Sequence, residues 1–192
     1  MKRTKQKSGR PVTGEFASYA ADDIAFVQGD DAVEVMQRQE QEVLFFLGEI
    51  PEDRTRGLTY AAGKWTLKEV FGHMIDDERI FAYRILCVAR KEPLALPGFE
   101  EKLYVASSDF EQRTLASLLS EYRTVRAATV SLLESFNAEM WQRRGVVNGY
   151  EASARGLAFH VAGHELHHLR ILRDRYRAIS EISNQSLRAA ER

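Results

Sequence analysis

Apolar residues recur at helical spacing along four long segments of this 192-residue chain, and this periodicity constrains the fold most strongly. The segments cover about residues 30–50, 66–92, 110–136 and 153–179. No series of segments alternates apolar and polar residues as strands do, and the turn-rich stretch 143–153 has room for no more than a short hairpin. Each helix must bury one apolar stripe, so the pattern predicts an all-α four-helix bundle.

Capping signals and composition predict the boundaries of this bundle. Thr66 precedes the second segment and Glu69 follows three residues later, which is a capping box. The expected organisation is an irregular basic N-terminal tail over residues 1–29, a helical bundle over residues 30–179 and a polar C-terminal tail over residues 180–192.

Bulk composition excludes several classes of protein. The net charge is −1, whereas a dedicated nucleic-acid-binding domain is usually basic, so no nucleic-acid partner is expected. No run of about 18 apolar residues is present, so no membrane span or membrane partner is expected. Cys87 is the single cysteine and the basic start is not followed by an apolar run. An intrachain disulfide is therefore impossible, and a cytoplasmic protein is expected.

Four of the five histidines lie in one stretch, FHVAGHELHHLRIL, residues 159–172. At about 100° per residue, His164 and His168 fall in the middle of the apolar stripe, and His160 and His167 fall toward its edge. A buried imidazole without a partner is costly. Imidazoles four residues apart project in the same direction, which suits two ligands of one metal ion. Hydrogen-bonded core histidines without a metal are the alternative.

His73, on the second predicted helix, is the candidate third ligand. Asp77 follows it by one turn and could accept the second ring N–H of a ligating histidine, or could instead pair with Arg84 at the surface. A three-histidine set leaves one coordination position open for water or substrate. Zinc and nickel are the expected metals, since imidazole ligands do not discriminate strongly between them.

The segment HELHH also matches H-E-x-x-H, in which Glu165 would be the general base of a metalloprotease. Ile171 stands where the extended metzincin motif requires glycine, and no strand series offers an edge for a peptide substrate. A protease is therefore the minor alternative. The sequence identifies no separate general base, and Glu165, Asp77 and His160 are the candidate catalytic residues near the metal.

The chain resembles the DinB/YfiT-like superfamily of metal-binding four-helix bundles. The resemblance is carried by GKWTLKEVFGHMIDDERIFAYRI (63–85), LPGFEEKLYV (96–105) and GLAFHVAGHELHHLRILRDRY (156–176). It implies an up-down-down-up bundle with a long crossover, and the family's ligand positions fall on His73, His164 and His168. Many family members dimerise. A homodimer is expected here, through a helix surface that includes Phe159, Ala162 and Leu166.

The resemblance leaves two kinds of function open. The first is an intracellular metalloenzyme that acts on a small-molecule substrate, either as an S-transferase with a low-molecular-weight thiol or as a metal-dependent hydrolase. Its mechanism would use the open metal position as a Lewis acid. The second is a non-catalytic bundle in which the histidines hold a structural metal or a ligand. Whether the protein is an enzyme is not decided by the sequence.

Overall fold

A computed structural model describes residues 6–176 of the chain. In this part the helices are α1 (Ala21–Phe26), α2 (Ala32–Gly48), α3 (Leu67–Ala89), α4 (Glu101–Ala106), α5 (Leu115–Glu134), α6 (Ala138–Gln142) and α7 (Ala154–Ile171). An antiparallel hairpin, β1 (Arg144–Val147) and β2 (Tyr150–Ser153), precedes α7. The predicted all-α class is confirmed. None of the helices within these residues has the length and apolar character needed to cross a membrane.

Helices α2, α3, α5 and α7 form the bundle. Both α2 and α3 pack against α5 and α7. The up-down-down-up topology expected from the sequence is confirmed. Because α3 and α5 are neighbours that run in the same direction, the chain must return along the bundle between them. Residues 90–114 make this crossover and contain the short helix α4.

The helix starts follow the predicted capping signals. The Thr66 side chain accepts a hydrogen bond from the Glu69 N–H, and the Thr66 N–H donates to the Glu69 carboxylate. Ser153 caps α7 by accepting from the Gly156 N–H at 3.0 Å. Helix α7 continues into a π-helical turn, Leu172–Tyr176. The predicted helix end near residue 179 and the predicted tail 180–192 lie outside the described residues.

A layer of buried polar side chains divides the bundle core in two. One apolar cluster includes Val35, Phe81 and Phe159, and the other includes Val43 and Phe71. Between them lies the polar layer, formed by Gln39, Asp77, Glu78, Arg126 and Glu165. Buried polar groups must be satisfied by one another or by a ligand, so this layer marks the part of the bundle where function is expected.

The N-terminal segment, residues 6–31, packs on the bundle and includes α1, so the expected irregular tail is corrected for this part. Arg10 donates to the carbonyl oxygens of Val27 and Ile24 at 2.7 and 2.9 Å. The Glu15 carboxylate accepts from Arg155, on α7, at 2.7 Å. The sequence predicts a solvated tail here because the partners of these charged residues are backbone carbonyl groups or lie far away in the chain.

This segment also covers the surface that was expected to mediate dimerisation. Phe159 and Ala162 are fully buried within the chain, and Leu166 packs partly buried against the same cluster. A Cβ added at Gly163 would lie 2.7 Å from the backbone of Asp23, so α1 lies directly on α7. The apolar side of α7 is therefore not a free surface, and the homodimer stays a prediction without this support.

Candidate metal centre

The three predicted ligands meet where α3 packs against α7. His73 projects from α3, and His164 and His168 lie one turn apart on α7. The His164 Nε2 atom is 3.2 Å from His73 Nε2 and 3.0 Å from His168 Nε2. One ligand nitrogen from each residue lies within 4.8 Å of the other two. We call these three residues the histidine triad.

The nitrogen atoms of the triad fit a metal ion better than they fit one another. An imidazole nitrogen carries either one hydrogen or one lone pair, so His164 Nε2 cannot make good hydrogen bonds to both neighbours. A divalent ion would accept lone pairs from all three. Tetrahedral Zn–N bonds of about 2.0–2.1 Å separate the ligand nitrogens by roughly 3.3 Å, close to the distances found here.

The electrostatics of the triad also favour metal binding. Burial lowers the pKa of His73 to about 4 and, together with the neighbouring imidazoles, that of His168 to about 3. Burial and the four other imidazoles nearby hold the pKa of His164 well below its usual value. All three rings are therefore neutral at pH 7, the form that binds metal. His168 Nδ1 is buried without a hydrogen-bond partner among the described residues.

Asp77 lies beside the triad rather than at the surface. Its Oδ2 atom is 3.3 Å from His164 Nδ1, although the two atoms are not aligned as a hydrogen bond. Burial raises the pKa of Asp77 to about 8, against the attraction of Arg84. Arg84 is buried too, and it donates to the Pro97 carbonyl oxygen and lies over the Phe81 ring. Of the two roles predicted for Asp77, this position fits the one that orients His164.

The other two histidines of α7 lie beside the triad, as the helical wheel predicts. The His160 ring is buried and stacks on Phe81 with ring centroids 4.3 Å apart. His167 is exposed, and its Nδ1 atom lies 3.2 Å from the Asp23 carboxylate. His160 therefore lines the site, whereas His167 contacts α1.

The Glu165 side chain binds Tyr122 and Arg126, and this does not fit the predicted catalytic role. Its Oε2 atom accepts from the Tyr122 hydroxyl at 2.8 Å and from Arg126 at 2.5 Å. Burial and, to a smaller extent, repulsion by the Glu78 carboxylate raise the pKa of Glu165 to about 7 against the attraction of Arg126. A protease base would have to face water on the metal. The geometry of Glu165 thus argues against the protease alternative.

These contacts belong to the Arg126 cluster, made of Arg126, Glu78, Glu165 and Tyr122. Arg126 on α5 donates to Glu78 on α3 at 2.8 Å, to Glu165 on α7 and to the Met36 carbonyl oxygen on α2 at 2.9 Å. One side chain thereby joins all four bundle helices. The sequence analysis did not single out Arg126. The feature of the sequence that could have identified Arg126 is its position, because it is a charged residue within the apolar stripe of α5, four positions after Tyr122.

Glu101 is a second residue that sequence reasoning missed. Its Oε2 atom lies 3.7 Å from His73 Nε2, and its side chain is half-exposed. Leu96 exchanges backbone hydrogen bonds with Val146 and Asn148 of the hairpin, which fixes the crossover just before α4. Glu101 is the first residue of α4 and stands over the triad. The feature of the sequence that could have identified Glu101 is its place in a long helix–helix connection, since such connections often carry functional residues.

Two cavities meet at the triad and share Glu101. The aromatic cavity, of about 450 Å³, reaches His168 and is lined by residues that include Tyr60, Lys64, Trp65, Lys102, Ile171 and Tyr176. The acidic cavity, of about 370 Å³, reaches His164 and His160 and is lined by residues that include Tyr19, Asp23, Asp77, Arg84, Glu100 and Asn148. Cavities of this size hold small molecules, so a small molecule could reach the triad.

Comparison with known proteins places this arrangement in a family. The family model of the DinB superfamily matches residues 36–172. No curated protein matches the chain significantly. YfiT from Bacillus subtilis, described as a probable metal-dependent hydrolase with an unusual four-helix bundle topology, has a similar structure. The TM-score is 0.65 at 16% sequence identity, over 88% of this chain and 92% of YfiT. The family match spans all three residues of the triad and most of the chain, which therefore belongs to the DinB superfamily.

Proposed function

We propose that the protein is a metal-dependent hydrolase that acts on a small molecule at the histidine triad. The convergence of three neutral, buried imidazole nitrogens beside two cavities carries this proposal. Zinc and nickel are the expected metals, because both bind imidazole well. The description of YfiT as a probable metal-dependent hydrolase supports the same reaction class.

In the proposed reaction a bound metal supplies Lewis acidity at the position that the three imidazoles face. Glu101 is placed to take a proton from the attacking water and to return it to the leaving group. Hydrolysis then adds OH to the acyl or phosphoryl centre and H to the departing atom. Asp77 lies on the Nδ1 side of the His164 ring, where its carboxyl group would orient the ring with Nε2 directed at the metal position.

Thiol-dependent S-transfer is the second candidate, because two cavities meet at the triad. A transferase needs room for both a low-molecular-weight thiol and an electrophile, and one cavity lies on each side of the metal position. The two reactions differ in what they consume. A hydrolase consumes substrate without added thiol, whereas a transferase requires the thiol and incorporates it into the product.

Metal analysis of the purified protein tests the site itself. Wild type is expected to carry stoichiometric divalent metal, and His73→Ala and His164→Ala are expected to lose it, because two imidazoles hold the ion far less tightly than three. His167→Ala is the matched control, since this exposed histidine pairs with Asp23 instead. Full metal retention in either triad variant would overturn the ligand assignment.

Activity assays then test the reaction class. Metal-loaded Glu101→Gln is expected to keep its metal and to lose most hydrolysis of activated esters and amides, about 100-fold or more. Glu49→Gln, an exposed carboxylate at the end of α2, is the control. Turnover that requires a thiol would support transfer instead. A metal with no exchangeable water and no turnover would support the structural-metal alternative.

A further inference from the structure

The two cavities that meet at the triad carry opposite charge. Lys64 and Lys102 line the aromatic cavity, and neither forms a salt bridge with any residue in the range 6–176. On the other side, the acidic cavity is lined by the carboxylates of Asp23 and Glu100 together with the cation Arg84. Glu101 lines both cavities. A molecule that spans the metal position would therefore meet an excess of cations at one end and an excess of carboxylates at the other.

The apolar wall of the aromatic cavity is built against the triad. The Trp65 ring lies 5.0 Å from the His73 ring, measured between centroids. Tyr176 donates its hydroxyl hydrogen to the Trp65 carbonyl oxygen at 2.6 Å, and its ring packs edge-on against Tyr60 at 5.3 Å. These contacts fix the orientation of the wall. A ring or an alkyl group that packs on Trp65 would thus lie directly beside a metal ligand.

We propose that the aromatic cavity binds the carboxylate-bearing, apolar part of the substrate. The carboxylate lies toward Lys64 and Lys102, the apolar body lies against Trp65, and the bond to be hydrolysed lies at the triad. The departing group, uncharged or cationic, occupies the acidic cavity, because an anion there would be repelled. This substrate class rests on the proposed function, whereas the binding of the carboxylate does not require turnover.

Fluorescence of Trp65 gives a direct measure of binding in this cavity. The chain has two tryptophans, and Trp141 is 1% exposed in the other apolar cluster. The probes are 3-phenylpropionate and its neutral amide, 3-phenylpropionamide, titrated into metal-loaded and chelator-treated protein. We expect about tenfold tighter binding of the carboxylate in both forms, as for one favourable charge interaction in a partly desolvated site. Trp65→Phe should remove the signal.

Lysine variants separate this site from binding to the metal itself. Lys64→Gln and Lys102→Gln should each reduce the preference for the carboxylate by roughly threefold, and the double variant should abolish it. Lys91→Gln, an exposed lysine that pairs with Glu139, should leave it unchanged.

Two outcomes would overturn the assignment of the aromatic cavity. The first is equal affinity for the two probes, and the second is a preference that survives the double lysine variant. A preference seen in the metal-loaded form alone and insensitive to the lysines would mean that the probe binds the metal, which leaves the proposed hydrolase intact. Lysine-dependent binding by a protein that holds no metal would keep the cavity assignment and overturn the hydrolase.

Discussion

The Arg126 cluster and the histidine triad are two buried polar groups in the same bundle, yet only the first pairs opposite charges. Glu165 Oε1 is the one buried side-chain oxygen of the cluster without a hydrogen-bond partner among residues 6–176. Arg126 is held by two carboxylates and a carbonyl group from three other helices. The triad nitrogens face one another, and the nearest carboxylates within residues 6–176, those of Asp77 and Glu101, lie 3.3 and 3.7 Å away. Glu165 and His164 are adjacent on α7, and the 100° turn between them sends one into each group. One helix thus supplies both a closed structural cluster and an open site for a ligand.

Removing Arg126 should have the largest effect. Arg126→Met leaves Glu78 and Glu165 buried without their cation, and such a loss costs about 3–5 kcal/mol of unfolding free energy. Urea denaturation measures it, with Arg123→Met, an exposed arginine of α5, as the control. Equal stability of the two variants would show that the cluster is not what joins the helices.

Metal should stabilise the protein through the triad alone. A ligand that binds the folded state and not the unfolded state adds about 4 kcal/mol when its free concentration is 1,000 times its Kd. Thermal unfolding with and without zinc should therefore show a large upward shift for wild type. His73→Ala should show little shift, and an undiminished shift in this variant would place the metal elsewhere.

In metal-free protein, acid should change the contributions of these two regions to the unfolding free energy in opposite directions. Burial lowers the pKa of His160, beside the triad, to about 4. Unfolded histidine binds a proton below about pH 6.5, so this group loses on the order of 3 kcal/mol of stability as the pH falls from 6.5 to 4. Glu165 has a raised pKa of about 7 and binds its proton first in the folded state. Its contribution therefore grows as the pH falls from 7 toward about 4.3.

Unfolding free energies of wild type, His160→Gln and Glu165→Gln across this pH range test the signs. The difference between wild type and His160→Gln should shrink with acid, and the difference between wild type and Glu165→Gln should widen. If both differences changed in the same direction with pH, the two regions would not respond to acid with opposite sign.

Substitution of Asp77 should give the smallest of these effects, a decrease in metal affinity. Asp77→Asn replaces the carboxyl group beside His164 Nδ1, and loss of such a partner weakens metal binding by about 10–100-fold. Competition with a chelator of known affinity measures the change. Asp76→Asn is the control, because this neighbouring carboxylate faces Arg79. Similar affinities for the two variants would remove Asp77 from the site.

Features set by local periodicity could be predicted from the sequence. The apolar stripe of α7 placed His164 and His168 inward, and the capping box at Thr66 fixed the start of the helix that carries His73. Features set by distant partners could not. Arg126 binds groups 39 to 90 residues away in the chain. Glu101 reaches the triad because the crossover folds back along the bundle, which no local pattern specifies.

The N-terminal segment has a consequence for how this protein can diverge from its relatives. Tyr19 and Asp23 form part of the wall of the acidic cavity, yet both precede residue 36, where the match to the DinB superfamily begins. All three triad residues lie inside the matched part. The wall of the acidic cavity can therefore change through the sequence of this segment while the ligand set and the bundle stay as they are. Exchange of the N-terminal segment between relatives would change the wall of the acidic cavity and leave the triad as it is.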